Sequence, residues 1–180
     1  MTLTTQPWTL SHCGEQAAVR FAQRHYSARK RPQDDIPGKV GGPGRQLVLT
    51  AGDPLAALWI TTWQAAEVTD HAWGGAWMCS LFRSEGGGIA SELIRAAVAV
   101  TRWRWPDVPA LGMITFIDRE KVRPTKTRGE DTWGRTYRLA GIQPVGETAG
   151  GLLVLQLLPD RMPSPMAPIG SMMGLFQEAA

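Results

Sequence analysis

Cysteine is scarce in this chain. Two of 180 residues, Cys13 and Cys79, are cysteine, and they show neither a metal-ligand spacing nor a disulfide framework, so a reduced, cytoplasmic setting is expected. A metal is left open only by His12, His25, His71 and the two cysteines meeting in space. Long apolar runs are also missing. None reaches the roughly 20 residues that a membrane-spanning helix needs, and the first residues lack the basic-then-apolar order of a signal peptide, so no membrane partner is expected. Charge of one sign is not in large excess: 19 Lys and Arg stand against 16 Asp and Glu, for a net +3, which permits a polyanionic partner without establishing one. There are no internal repeats.

What is present is a globular composition, 43% hydrophobic and 19% charged, long enough for one domain with a buried core. Eight tryptophans are more than a core of this size needs, which leaves one or two to line a ring-stacking site. Apolar spacing predicts a short strand at 8–10 and a helix over 14–26 carrying Ala17, Ala18, Phe21, Ala22 and Tyr26. A basic Pro- and Gly-rich loop follows, with Arg29, Lys30, Arg31 and Lys39. Strands are expected at 46–50 and 55–63 as a hairpin, then at 76–82. After Phe82 and Arg83 the chain runs through Gly86, Gly87 and Gly88 into a helix over 89–104 that stops before Pro106. A buried strand at 111–117 ends at Asp118. Residues 119–135 hold Arg119, Lys121, Arg123, Lys126, Arg128 and Arg135 against Glu120, Glu130 and Asp131, as large a positive excess as that of the whole chain. A short helix at 132–140 holds Tyr137, strands at 142–148 and 152–158 close the domain, and residues 159–180, rich in Pro and Met, are expected as a tail whose 172–176 segment could dock on the domain or on a neighbour.

The organising stretch is the passage from strand to helix at 76–94. Backbone N–H groups at the start of a helix, reached through glycines, suit a phosphate; a glycine turn is equally a plain connection. Arg83-Ser84-Glu85-Gly86-Gly87-Gly88 reads as Arg-x-x-Gly-x-Gly. It resembles the pyrophosphate loop of the acetyltransferase (GNAT) superfamily, and the order of elements is similar to that fold. The resemblance implies an α/β domain over 1–158 with a mixed central sheet flanked by helices. It also implies binding of acetyl-CoA, or another acyl- or glycyl-type donor, by Phe82, Arg83, Gly86, Gly87 and Gly88.

Four further segments resemble a narrower group, the GNAT-like DNA-modification proteins of bacteriophages of the Mom type. They are His25-Tyr26-Ser27 before the basic loop, Leu81-Phe82-Arg83 with Ser91 in the following helix, Thr115-Phe116-Ile117-Asp118, and Gly134-Arg135-Thr136-Tyr137-Arg138-Leu139-Ala140. Relatives of that group carry Tyr-Ala-Asp where this chain has Phe116-Ile117-Asp118, and a Gln-Gly-His before the tyrosine that this chain lacks. The resemblance implies transfer of a carbamoylmethyl group to adenine N6 in DNA, protecting phage DNA from restriction in the host cytoplasm. It implies His25, Tyr26, Ser91, Asp118 and Tyr137 as catalytic residues, and Arg29, Lys30, Arg31, Lys39, Lys121, Arg123, Lys126 and Arg128 as DNA contacts; a homodimer is left open. Each residue also has a plain reading: a helix-end cap for the His-Tyr pair, a turn cap for Asp118, a packed ring for Tyr137, a surface ion pair for Arg83. Two other functions fit the sequence, an acyl-CoA-dependent N-acetyltransferase acting on a small amine or protein, and a DNA-binding protein of this fold without catalysis.

Overall fold

The computed structural model describes residues 7–26, 40 and 43–170. In chain order the elements are β1 (Thr9–Ser11), α1 (Gln16–Gln23), β2 (Arg45–Ala51), β3 (Ala57–Trp63), β4 (Trp77–Ser84), α2 (Ala90–Arg104), β5 (Met113–Ile117), β6 (Thr125–Thr127), β7 (Glu130–Thr132), α3 (Arg135–Leu139), β8 (Gln143–Glu147) and β9 (Leu153–Leu157). Seven strands make one mixed sheet in the order β1-β2-β3-β4-β5-β9-β8, and β6 and β7 pair separately. Every neighbouring pair in the large sheet is antiparallel except β4 and β5. A parallel neighbour has to be reached by a crossover, and α2 supplies it. The molecule is thus a mixed α/β fold.

Alternation along the strands divides the core between the two faces of the sheet. Ala57 and Trp59 of β3 join the cluster under α2, whereas Leu58 and Ile60 join the one under α1. Because β3 lies inside the sheet with helices on both sides, its residues from Ala57 to Thr62 are all buried. Helix α2 presents Leu93, Ile94, Ala97 and Val100 to the sheet; each such large side chain removed from water contributes about 1.5–3 kcal/mol. Trp8 is fully buried in the same cluster and satisfies its one donor by bonding Leu93 O at 2.9 Å. The helix ends at Arg104 because Pro106 cannot continue it and restricts the residue before it. No described helix is long and apolar enough to cross a membrane.

Two features differ from the sequence expectation. Within 119–135, β6 and β7 form a hairpin closed by Arg128 and Gly129, whose φ values of 52° and 87° fit the two-residue turn that matches strand twist. Residues 159–170, expected as a tail, lie against the domain. Met166 N bonds Ala99 O, Ile169 N bonds Trp8 O, and Arg102 Nη1 bonds the carbonyls of Met162 and Pro163. A proline-rich stretch has few donors to pair internally, so its backbone is satisfied across to α2 and to the start of β1. The 172–176 segment lies outside the described residues.

Candidate functional site

Strands β4 and β5 pair at only three positions, Trp77 with Met113, Met78 with Ile114 and Cys79 with Thr115. Beyond these, β4 continues against β3 and β5 continues against β9. A register shift between Ile60 and Thr61 of β3 accompanies the parting, as expected of a bulge that bends a strand and raises its twist. A cavity of about 600 Å³ opens between the separated ends. It sits at the carboxyl ends of the parallel pair, where open α/β sheets hold ligands, and its size falls in the range of small-molecule sites, about 300–1,000 Å³.

The end of α1 forms one wall. His25 and Tyr26 both line the cavity, their ring centroids 4.4 Å apart. A clasp of charges holds this wall in place. Arg83 Nη1 donates to Arg24 O at 2.6 Å, while the Glu85 carboxylate accepts from Arg24 (2.9 and 2.7 Å) and from Arg83 (2.7 Å). These two arginines hold the Glu85 carboxyl below the usual range. Burial, and secondarily the Arg83 charge, push the His25 pKa below its ordinary value, so the ring is neutral at pH 7 and able to take a proton. Burial raises the Tyr26 pKa; the Asp118 carboxylate and Cys79 add to the shift, and the Asp118 backbone and Lys121 oppose it.

The floor is a small polar cluster in an apolar setting. The Tyr137 hydroxyl lies 3.8 Å from Cys79 Sγ, and Thr115 Oγ1 donates to Cys79 O at 3.1 Å. Burial pushes the Cys79 thiol up to about 12 and raises Tyr137 well above its ordinary value, with Cys79 adding to the effect. Both groups keep their protons at neutral pH: Tyr137 is a hydrogen-bond donor, and Cys79 is not a thiolate nucleophile. Tyr137 reaches the floor because α3 starts close above β5 and β9. Gly134, at φ 71°, precedes the helix, and a Cβ there would stand 2.6 Å from Ile117 Cδ1 and 2.9 Å from Leu155 Cδ2. Only glycine allows that approach without displacing a neighbour.

No family model, curated protein or solved structure matches this chain. What the cavity can do follows from its own groups.

Of the residues singled out in the sequence, His25, Tyr26, Phe82, Asp118, Lys121, Arg123 and Tyr137 line this one cavity. Asp118 pairs with Lys121 at 2.8 Å, and that hydrogen bond, together with the Glu120 N–H, holds its pKa below the ordinary value. Lys121 is raised in turn, chiefly by Asp118. Ser91, Arg83, Gly86, Gly87, Gly88, Lys126 and Arg128 are not among the lining residues. Arg83 is engaged by Glu85 and the Arg24 carbonyl, Lys126 pairs with Asp131 across the hairpin at 2.8 Å, and Arg128 stands at the hairpin turn. The three glycines sit at φ 131°, 80° and 134°, with no heavy atom within 4 Å of where a Cβ of Gly86 would be. Arg29, Lys30, Arg31 and Lys39 lie outside the described residues. Among the described residues, no three His, Cys, Asp or Glu side chains converge in a way that could hold a metal.

Sequence reasoning placed Cys79 only among the residues that could meet at a metal and gave Thr115 and Arg135 no role of their own; all three line the cavity. The signal available was a polar residue within each of two apolar strands, Cys79 in β4 and Thr115 in β5. They are register partners at the last paired position before the strands separate.

Proposed function

We propose that this protein is a Mom-type DNA-modification enzyme on a GNAT-like fold, transferring a carbamoylmethyl group to N6 of adenine. The observation that supports it most is the meeting of His25, Tyr26, Asp118 and Tyr137 around one cavity at the parting of β4 and β5. An adenine inside a duplex cannot enter such a space, so the base is extruded or taken from a single strand. Extrusion costs a few kcal/mol; stacking on an aromatic wall returns about 1–3 kcal/mol per base. Tyr26, with 42% of its surface exposed and the His25 ring centroid 4.4 Å from its own, offers that wall. The ionised Asp118 carboxylate accepts a hydrogen bond from the N6 amino group. Neutral His25 accepts the N6 proton as the bond from N6 to the carbamoylmethyl carbon forms and the bond from that carbon to the donor's leaving group breaks; the leaving group departs with the electron pair, and Tyr137 donates its hydrogen bond to the charge developing there.

A second reading is acyl transfer from acetyl-CoA to a small amine or protein. Beyond Cys79 the side of β4 that faces β5 has no strand partner among the described residues, and such an edge pairs with an amide-bearing chain like the arm of coenzyme A. The glycine turn fits a pyrophosphate by its open backbone, whereas Arg83 would have to leave Glu85 to reach one.

Nucleoside mass spectrometry of plasmid DNA from expressing cells tests the first reading. A mass-shifted deoxyadenosine is expected with the parent protein and not with Tyr26→Ala or Asp118→Ala. Its absence in every sample, together with tight acetyl-CoA binding and indifference to DNA, selects the second.

A further inference from the structure

We infer that Arg123 and Arg135 form a two-guanidinium subsite for a DNA backbone phosphate at the mouth of the cavity. The inference rests on the reading of the cavity as a site for an extruded nucleotide and adds the contact that holds the strand beside it. The basic run that begins at Arg119 is largely answered from within. Arg119 pairs with Glu147 at 2.7 Å, Lys121 with Asp118 and Lys126 with Asp131 at 2.8 Å each, and Arg138 donates to Trp133 O at 2.9 Å. Arg123 and Arg135 are exposed, line the cavity, and have no ion pair or hydrogen bond among the described residues.

Their placement follows from the hairpin. Thr125 pairs with Thr132, which closes the insert at its root. The chain entering the hairpin and the chain leaving it therefore run side by side, and Arg123 on one and Arg135 on the other reach the same rim. Trp133 Nε1 donates to Val122 O at 3.0 Å and ties the two legs together. Two like charges facing one space repel each other unless an anion lies between them. The planar fork of arginine matches a phosphate better than an ammonium does. The nearest carboxylate on the lining, Asp118, is already answered by Lys121, so it does not neutralise the pair.

The test is binding of a fluorescent duplex with one adenine opposite an abasic position, measured across a salt series. Each removed phosphate contact lowers the steepness of log K against log salt by about 0.9. The Arg123→Ala, Arg135→Ala double variant removes that one contact and is expected to lower it by about 0.9, and each single variant by less, with an unchanged thermal midpoint because neither side chain has a partner to lose among the described residues. The Arg123→Lys, Arg135→Lys pair keeps the slope. An unchanged slope in the double alanine variant overturns the subsite while leaving the DNA reading standing. So does an intact slope joined to lost affinity for free coenzyme A or inorganic phosphate, which assigns the pair to a small donor. A parent protein that does not bind the duplex at the lowest salt overturns the DNA reading itself.

Discussion

Replacing Gly134 by alanine tests whether α3 is seated as closely as the structure shows. The residue has φ 71°, a conformation that costs an L-residue roughly 1–2 kcal/mol. Alanine also stiffens the unfolded chain, which offsets about 0.4–1 kcal/mol of that. The new methyl would fall 2.6 Å from Ile117 Cδ1 and 2.9 Å from Leu155 Cδ2. Both atoms are ends of side chains; Leu155 is fully buried and has no open space to enter, while Ile117, 3% exposed, borders the cavity and can give only on that side. Overpacking of this kind costs about 1–3 kcal/mol. The net loss is about 1–4.6 kcal/mol, and with a urea dependence of about 2 kcal/mol per molar it lowers the unfolding midpoint by about 0.5–2.3 M. The measurement is a urea titration followed by tryptophan fluorescence. An equal or higher midpoint for Gly134→Ala would refute the close seating and, with it, the placing of the Tyr137 hydroxyl beside Cys79.

Three other outcomes are expected. Glu85→Gln removes the carboxylate shared by Arg24 and Arg83, so the backbone amide of His25, bonded to Ala22 O at 2.9 Å, should exchange faster while the middle of α2 is unaffected; equal exchange in both proteins would show that the clasp does not hold the end of α1. The His25 pKa lies below 6.5 in the folded protein, so the unfolded chain takes the proton first as pH falls, and this His contribution, intact above about 6.5, is lost on acidification toward the folded pKa. His25→Gln should not show that part of the loss, and parallel declines in unfolding midpoint between about pH 7.5 and about pH 5 would exclude it. The Cys79 thiol, pushed up to about 12 and buried, should resist iodoacetamide until the protein is unfolded; labelling of Cys79 in the native protein would mean that the floor of the cavity is open.

The large elements were legible because burial wrote a period into them. The apolar spacing of α2 and the near-continuous apolar runs of β3 and β5 placed these elements to within a few residues. The hairpin was not legible. Its strands, Thr-Lys-Thr and Glu-Asp-Thr, bury no apolar residue, and its turn uses Arg128 at a positive φ where Asn or Asp would have been the signal. The site was legible in its types more than in its pairings. Asp118 could be placed at a strand end and Tyr137 on a short helix, but nothing local shows that Arg83 will be engaged by a residue two positions away and by a carbonyl 59 positions away. The split of β4 from β5 depends on which backbone groups find partners across the sheet, a three-dimensional accounting that no linear period records.

The docking of residues 159–170 has a consequence for how the chain is made. β1 is three residues long; β2 covers one of its edges, and Thr9 bridges Ile169. During synthesis the residue that flanks this first strand follows Thr9 by 160 positions. Until then Trp8 lacks the Ile169 amide that its carbonyl accepts, and among the described strands β1 is paired with β2 alone. Closing so long a loop is slow compared with local hairpin formation. β1 is therefore closed on its second edge only after every other strand of the large sheet has been made.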